Sequence, residues 1–285
     1  MAEAGPAGSQ EALARLRDEL RRLERVVVAF SGGADSAFVA WVATDTLGSD
    51  RVLCATAVSP SLAPEELADC RALAAEWGLR HVEVETTELA DPAYSANDGS
   101  RCYHCKTSLL DALGPLAETE GSRVVLGVNV DDLGDHRPGQ QAAAERGALF
   151  PLVTAGMTKA EVRAWSRELG LRTWDKPAAA CLSSRVPYGT PVTFGVLQSV
   201  AEAESGLRAL GFRQLRVRHY GDTARIEVPD SDLAGVVAQR EAISAVVHAA
   251  GYRYVTVDLD GFRSGNLNEA LGIQRQPLVV TGGGQ

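Results

Sequence analysis

The chain has 285 residues, 45% of them apolar and 23% charged, with a formal net charge of −9. That length supports one large domain or two smaller ones and can bury a core without disulfides. An acidic chain is a poor match for the phosphate backbone of nucleic acid, no apolar run approaches the roughly 20 residues of a membrane span, and Met1 to Gln10 carries no basic-then-apolar export signal.

Residues 10–24 predict an amphipathic helix, with Leu13, Leu16, Leu20 and Leu23 at helical spacing. Val26 to Phe30 is a short apolar run closed by a glycine pair, which predicts a buried strand. A helix over 37–47, a strand over 52–58 and a helix over 64–77, with Pro64 in its first turn, follow. Then come a strand over 81–84, a helix over 106–118 and a strand over 124–128. Thr158 and Glu161 form a capping box for a further helix running to about Leu169. Strands alternating with helices predict parallel crossovers and a doubly wound α/β sheet. Beyond Pro187 and Pro191 the order becomes helix 195–210, strand 213–219, strand 224–228, helix 231–249 and strand 253–259. This predicts a large domain over 10–190, a smaller α+β domain over 191–270, and flexible tails at 1–9 and 277–285.

Directly after the first strand stands Ser31-Gly32-Gly33-Ala34-Asp35-Ser36. Two glycines let the backbone turn tightly and approach a ligand, and the following helix offers unpaired N–H groups at its positive end. Ser31 and Ser36 add hydroxyl donors, and Asp35 is suited to Mg²⁺ bridging the phosphates. An ordinary strand–helix turn also accepts Gly, Ser and Asp, but this one sits where a nucleotide loop should. The chain has no Gly-Lys dipeptide and no Gly-x-Gly-x-x-Gly, so neither the Walker-type loop nor the dinucleotide fingerprint is present. The stretch resembles the PP-loop of ATP pyrophosphatases, which split ATP between the α- and β-phosphates. That resemblance implies an adenine nucleotide α-hydrolase-like fold and an adenylated intermediate, and leaves the nucleophile open.

The cysteines bear on that choice. There are five, at 54, 70, 102, 105 and 181, and with no export signal they should be free thiols in a cytoplasmic protein. Cys54 falls in a strand and Cys70 mid-helix, which suits small core residues. Cys102 and Cys105 form a C-x-x-C with no second pair to complete a four-ligand zinc site. With Cys181 they make three thiols and one vacant position, a set that suits a 4Fe–4S cluster with an open iron. Small residues precede Cys181, and Arg185 nearby favours a thiolate. The 28 basic residues include only three lysines, Lys106, Lys159 and Lys176, and two of these stand near cysteines.

The stretches Phe30-Ser-Gly-Gly-Ala-Asp-Ser36, Arg101-Cys-Tyr-His-Cys-Lys106, Gly127-Val-Asn-Val-Asp-Asp-Leu-Gly-Asp-His-Arg-Pro-Gly139, Asp175-Lys-Pro-Ala-Ala-Ala-Cys-Leu-Ser-Ser-Arg185 and Arg216-Val-Arg218 together resemble the LarE family, as does the ending Tyr254 to Asn268. The resemblance runs in order over residues 20–270. It implies an ATP-dependent sulfur transferase that adenylates a carboxylate of pyridinium-3,5-biscarboxylic acid mononucleotide, releases pyrophosphate and installs sulfur as a thiocarboxylate.

It further implies that Ser31, Gly32, Gly33, Asp35, Ser36, Gly127, Asn129, Asp132 and Arg137 bind ATP and Mg²⁺. Cys181, Asp35 and Lys106 are the implied catalytic residues, and Cys102, Cys105 and Cys181 the implied cluster ligands. Arg216, Arg218, Ser184 and Arg185 are the implied substrate-phosphate site. Cys181 either helps hold a cluster that carries extra sulfide or surrenders its own sulfur and becomes dehydroalanine. Glu204 and Glu227 match acidic family positions but suit Arg-paired surface carboxylates as well. His104 reads as a bystander, and His219 as an even choice for a phosphate contact. The implied partners are the small mononucleotide, a source of sulfide (free or from a cysteine desulfurase) and further copies of the chain, with small domains in the contact.

Three rival readings differ in what they require. A tRNA thiolase needs a basic platform, whereas residues 1–190 hold 19 basic and 27 acidic side chains and residues 191–285 hold nine and ten. An ammonia-dependent NAD synthetase gives no reason for three cysteines. A non-catalytic nucleotide-binding module of the same fold needs neither the cysteines nor the arginine pair.

Overall fold

The computed structural model describes residues 7–134, 138–177 and 180–263. Arg137, the C-terminal tail 277–285 and the ending motif beyond Arg263 lie outside them, as do residues 1–6 of the N-terminal tail. The first helix, α1 (Ala7–Leu23), begins three residues ahead of the predicted position and buries Leu13, Leu16 and Leu20.

Four strands form a fully parallel sheet: β1 (Val26–Ala29), β2 (Val52–Val58), β3 (His81–Glu85) and β4 (Arg123–Val125), in the order β3-β2-β1-β4. Val26 to Val28 pair with Val52 to Cys54 on one side and with residues 123–125 on the other. The chain first winds outward from β1 to β3, then returns to the far side of β1 as β4. The carboxyl ends of β1 and β4 therefore flank the point where winding reverses, which is where open α/β sheets bind ligands. Crossovers are made by α2 (Ala34–Leu47), α3 (Pro64–Glu76), the short α4 (Pro92–Ser95) and α5 (Arg101–Thr119). The predicted strand 124–128 stops early because Leu126 N–H turns to Leu149 O, at 2.9 Å.

After β4 come α6 (Pro138–Glu145), α7 (Pro151–Thr154) and α8 (Lys159–Glu168). The capping box at Thr158 is present as predicted: its hydroxyl accepts from Glu161 N–H, and Glu161 accepts from Thr158 N–H. The smaller unit holds α9 (Phe194–Ala209), β5 (Arg216–Tyr220), β6 (Thr223–Glu227), α10 (Leu233–Ala238), α11 (Arg240–Ala249) and β7 (Tyr254–Val257). Its sheet is mixed, with β5–β6 antiparallel and β6–β7 parallel. The single helix predicted over 231–249 is two, interrupted at Gln239, where φ −103 and ψ 19 leave the helical region. The core of this unit also takes in Ala63, Tyr94, Leu182 and Val186, so it shares apolar packing with segments that precede it in the chain.

Candidate functional site

The loop after β1 is shaped by its glycines. Gly32 has φ +65, and a Cβ there would lie 2.9 Å from Cys70 Sγ, so both backbone and packing demand glycine. Gly33 caps α2 without a side-chain acceptor, which leaves first-turn N–H groups for a ligand. Ser36 closes the loop: its Oγ accepts from Ser31 N–H at 3.2 Å, lies 3.0 Å from Ser31 Oγ and donates to Gly33 O at 3.2 Å. A Cβ on Gly127 would come within 2.6 Å of Ser36 N, so the end of β4 lies directly on this loop.

Asp35 is held by two residues from beyond β4. Asn129 Nδ2 donates to Asp35 Oδ1 at 3.1 Å, and Lys159 Nζ stands 3.4 Å from Oδ2. Asn129 is fully buried, and Asp132 accepts its backbone N–H at 3.2 Å. Asp132 thus braces Asn129, while Asp131 accepts the N–H of Lys159 at 2.7 Å. Sequence reasoning placed Asn129 and Asp132 here. It missed Lys159, which lies 124 residues from Asp35 and shows only as a scarce lysine beside a helix cap. It also missed Thr56, whose hydroxyl donates to Phe30 O and lies 2.8 Å from His81 Nε2, steadying the start of the loop.

The loop opens into a cavity of about 420 Å³ that Lys106, Cys105 and Cys181 also line. Cys102 and Cys105 sit three apart on the first turns of α5, which begins at Arg101 rather than at 106. The Lys106 stem is set by α6, since a Cβ on Gly139 would lie 2.9 Å from Lys106 Cγ and 3.0 Å from Cys102 O. Among the described residues Lys106 has no ion-pair partner, so its charge is available to a ligand. Cys181 precedes a 3-10 turn, Leu182–Arg185. Cys102 and Cys181 are exposed and Cys105 half-buried. Burial, and then the charge of Cys181, push the Cys105 thiol up to about 12, and the same two causes raise Cys102. Cys54 and Cys70 are buried, as their places in strand and helix suggested.

All three accessible cysteines are free thiols, and Cys181 is close enough to act on the charge of both others. Among the described residues no three His, Cys, Asp or Glu side chains converge on one point as a single metal ion requires. Three free thiols are the donor type that a 4Fe–4S cluster takes, one thiolate per iron.

The implied phosphate site is a buried charge lattice. Arg185 grips Glu204 through Nε and Nη2 at 2.8 and 3.1 Å, and Arg218 grips Glu227 likewise at 2.9 and 3.0 Å. Glu204 also accepts from Arg208 and from Val217 N–H. Both carboxylates are therefore buried and Arg-paired, not surface groups. Arg218 further donates to Ser184 O at 2.7 Å, and Arg185 to Ser184 Oγ at 3.0 Å. The Arg185 guanidinium reaches the Cys181 carbonyl at 3.3 Å, and so supports that segment through its backbone. Among the described residues, Arg216 alone of these three has no carboxylate partner. It stacks 4.3 Å over Phe262 and donates to Arg263 O, while burial and the neighbouring Arg218 and Arg185 push it down to about 10. His104 pairs with Asp91 at 2.9 Å, and His219 Nδ1 lies 3.2 Å from Tyr252 Oη.

A family model described as NAD synthase matches residues 10–105. An uncharacterised protein of Synechocystis sp. is 49% identical over 263 residues, covering 91% of this chain and 97% of that one. Pyridinium-3,5-bisthiocarboxylic acid mononucleotide synthase of Lactiplantibacillus plantarum is 40% identical over 253 residues, covering 88% of this chain and 92% of the relative. An ammonia-dependent NAD⁺ synthetase of Chlorobium phaeobacteroides is 33% identical over 90 residues, or 31% of this chain. With 40% identity along nearly all of both chains, this protein belongs to the LarE family of PP-loop, ATP-dependent sulfur transferases.

Proposed function

We propose that this protein converts a carboxylate of pyridinium-3,5-biscarboxylic acid mononucleotide into a thiocarboxylate at the expense of ATP. The observation that carries the reading is one cavity lined by both the phosphate loop and two of the three accessible cysteines. A carboxylate oxygen attacks the α-phosphorus, the bond to the β-phosphate oxygen breaks, and pyrophosphate leaves. Loop N–H groups and the Ser31 and Ser36 hydroxyls hold the departing phosphates. Asp35, oriented by Asn129 and standing beside Lys159, would hold a Mg²⁺ that neutralises charge on the phosphates. Lys106 neutralises the acyl phosphate. Sulfur next attacks the carbonyl carbon, the bond to AMP breaks, and AMP leaves.

For the sulfur we favour Cys102, Cys105 and Cys181 as ligands of a 4Fe–4S cluster, which when bound supplies an open iron for external sulfide. Free sulfide or a cysteine desulfurase would provide it. Arg216 is the group we assign to the substrate phosphate, since among the described residues its fork is not spent on a carboxylate; Arg218, Arg185 and Ser184 form the hydrogen-bonded lattice beside it. We read residues 10–190 as the adenylating domain and 191–270 as the substrate domain. Among the described residues no helix is long and apolar enough to cross a membrane. We place the protein in the cytoplasm, without a nucleic-acid partner, as a homo-oligomer whose small domains meet. Exposed Val237, Tyr254 and Leu259 on that unit support the last point, and a monomer by light scattering would end it.

The test is pyrophosphate release by the purified protein with ATP and the biscarboxylated mononucleotide. Release that depends on the mononucleotide, with sulfur in the product, supports the reading. ATP binding without pyrophosphate would identify a binding module instead.

A further inference from the structure

Lys176 is largely buried behind the phosphate loop, and all three of its ammonium N–H bonds are engaged. Nζ donates to Gly32 O at 3.1 Å, to Glu66 Oε2 at 2.9 Å and to Asp69 Oδ2 at 2.6 Å. Glu66 and Asp69 stand one turn apart on α3, and the loop itself rests on Cys70 and Leu73 of that helix. Five residues beyond Lys176 is Cys181, and the next residue, Leu182, donates its N–H to Ser61 O at 2.8 Å, just ahead of α3. Arg163 Nη2 holds the Lys176 carbonyl at 3.2 Å. Lys176 and Leu182, on either side of Cys181, are thus each tied to α3 or the loop before it, and Lys176 to the phosphate loop directly.

We infer that Lys176 is a positioning residue for sulfur transfer: one ammonium clamps the phosphate loop, α3 and the Cys181 segment in a fixed relation. The inference rests on the sulfur-transfer reading above. An acyl adenylate held at the loop has two fates. Sulfur attacks the carbonyl carbon and expels AMP, giving thiocarboxylate. Otherwise water attacks the same carbon, the bond to AMP breaks, and the original carboxylate returns with ATP wasted. A displacement of ~1 Å costs a reaction about 100-fold, so the partition depends on how closely the Cys181 segment is set against the loop. The clamp also stays charged. Burial works against the Lys176 ammonium, but its bonds to Asp69 and Glu66 outweigh that and raise its pKa, while Asp69 is held below the usual carboxylate range. Arginine cannot direct three bonds from one nitrogen, and an apolar residue leaves Glu66 and the loop carbonyl without this donor and Asp69 with Arg172 alone, at 2.7 Å.

The experiment compares full-length wild type with Lys176→Met for pyrophosphate released per thiolated product. ATP affinity and the alkylation rate of Cys181 in nucleotide-free protein are measured alongside. The clamp predicts an uncoupled enzyme: pyrophosphate per product rises about tenfold, ATP still binds, and Cys181 is alkylated faster. Asp69→Asn, which removes one acceptor, should move the same readouts by less and serves if Lys176→Met does not fold. Adenylation and transfer falling together at a constant ratio, or a loss confined to ATP affinity, would overturn the inference. A wild-type protein that makes no pyrophosphate sinks the sulfur-transfer reading instead, and the alkylation rates then decide the clamp by themselves.

Discussion

Gly127 lies so close to Ser36 that a Cβ would stand 2.6 Å from the Ser36 backbone nitrogen, with Asp35 C at 2.7 Å. The clash is with backbone, so no side-chain rotation relieves it. Gly127→Ala should therefore displace the first turn of α2 and lower mononucleotide-dependent pyrophosphate release about 100-fold. Activity within a few-fold of wild type in that assay, with the variant folded by circular dichroism, would show that the loop tolerates the shift.

Arg216 carries a charge that its surroundings disfavour. Its pKa is pushed down to about 10, below the ordinary arginine value, by burial and by Arg218 and Arg185. The folded state binds this proton less tightly than the unfolded chain, so near neutral pH the charged group costs stability, and an anion placed against it relieves that cost. Inorganic phosphate at ten times its Kd should stabilise the protein by about 1.4 kcal/mol, seen as a rise in Tm. Arg216→Met should abolish the rise. An equal rise in the variant would place phosphate elsewhere.

The Arg185–Glu204 pair is buried at both ends, with side chains 7% and 0% exposed. Removing one charge strands the other, so Glu204→Gln should cost about 3 kcal/mol in urea unfolding. A cost near zero would mean that Arg208 and the β5 backbone hold the lattice without it.

His81 sets an acid limit on stability. Burial lowers its pKa below 6.5, with Glu83 partly opposing the shift. Because Thr56 donates to Phe30 O, its hydroxyl accepts from His81 Nε2–H, which fixes Nε2 as a protonated nitrogen. Below pH 6.5 the unfolded chain takes up the second ring proton before the folded one does. Stability is therefore lost as pH falls from 6.5 through the lower folded-state value. His81→Gln should flatten the fall in Tm between pH 6.5 and about 5; a slope identical to wild type would assign the effect to other groups.

Much of this was legible because it is local. The phosphate loop, the Thr158 capping box and the alternation of strands and helices are written in short runs of residues, and β1, β2 and β3 stand where those runs predict. The C-x-x-C was visible, but its place on α5 was not: the polar start at Arg101 carries no apolar periodicity. The break at Gln239 was hidden because its flanks share one helical pattern. Lys159, Lys176 and Thr56 were the larger omissions. Each acts through partners far along the chain, Lys176 on Gly32 across 144 positions, and no sequence spacing records such a contact. Glu204 and Glu227 likewise revealed their arginines only once β5, β6 and α9 had folded together.

The central claim is ATP-driven exchange of a carboxylate oxygen for sulfur at the cavity joining the phosphate loop to the cysteines. Its most direct test is one anaerobic reaction of reconstituted protein with ATP, sulfide and the biscarboxylated mononucleotide, followed by mass spectrometry of product and polypeptide. The account predicts pyrophosphate together with a mononucleotide heavier by an oxygen-to-sulfur exchange. An unchanged polypeptide mass would mark turnover through the three-cysteine site, and loss of H₂S at Cys181 would mark that residue as the sulfur source. Pyrophosphate released with no sulfur in the product, or with an amide formed from added ammonia, would contradict the account.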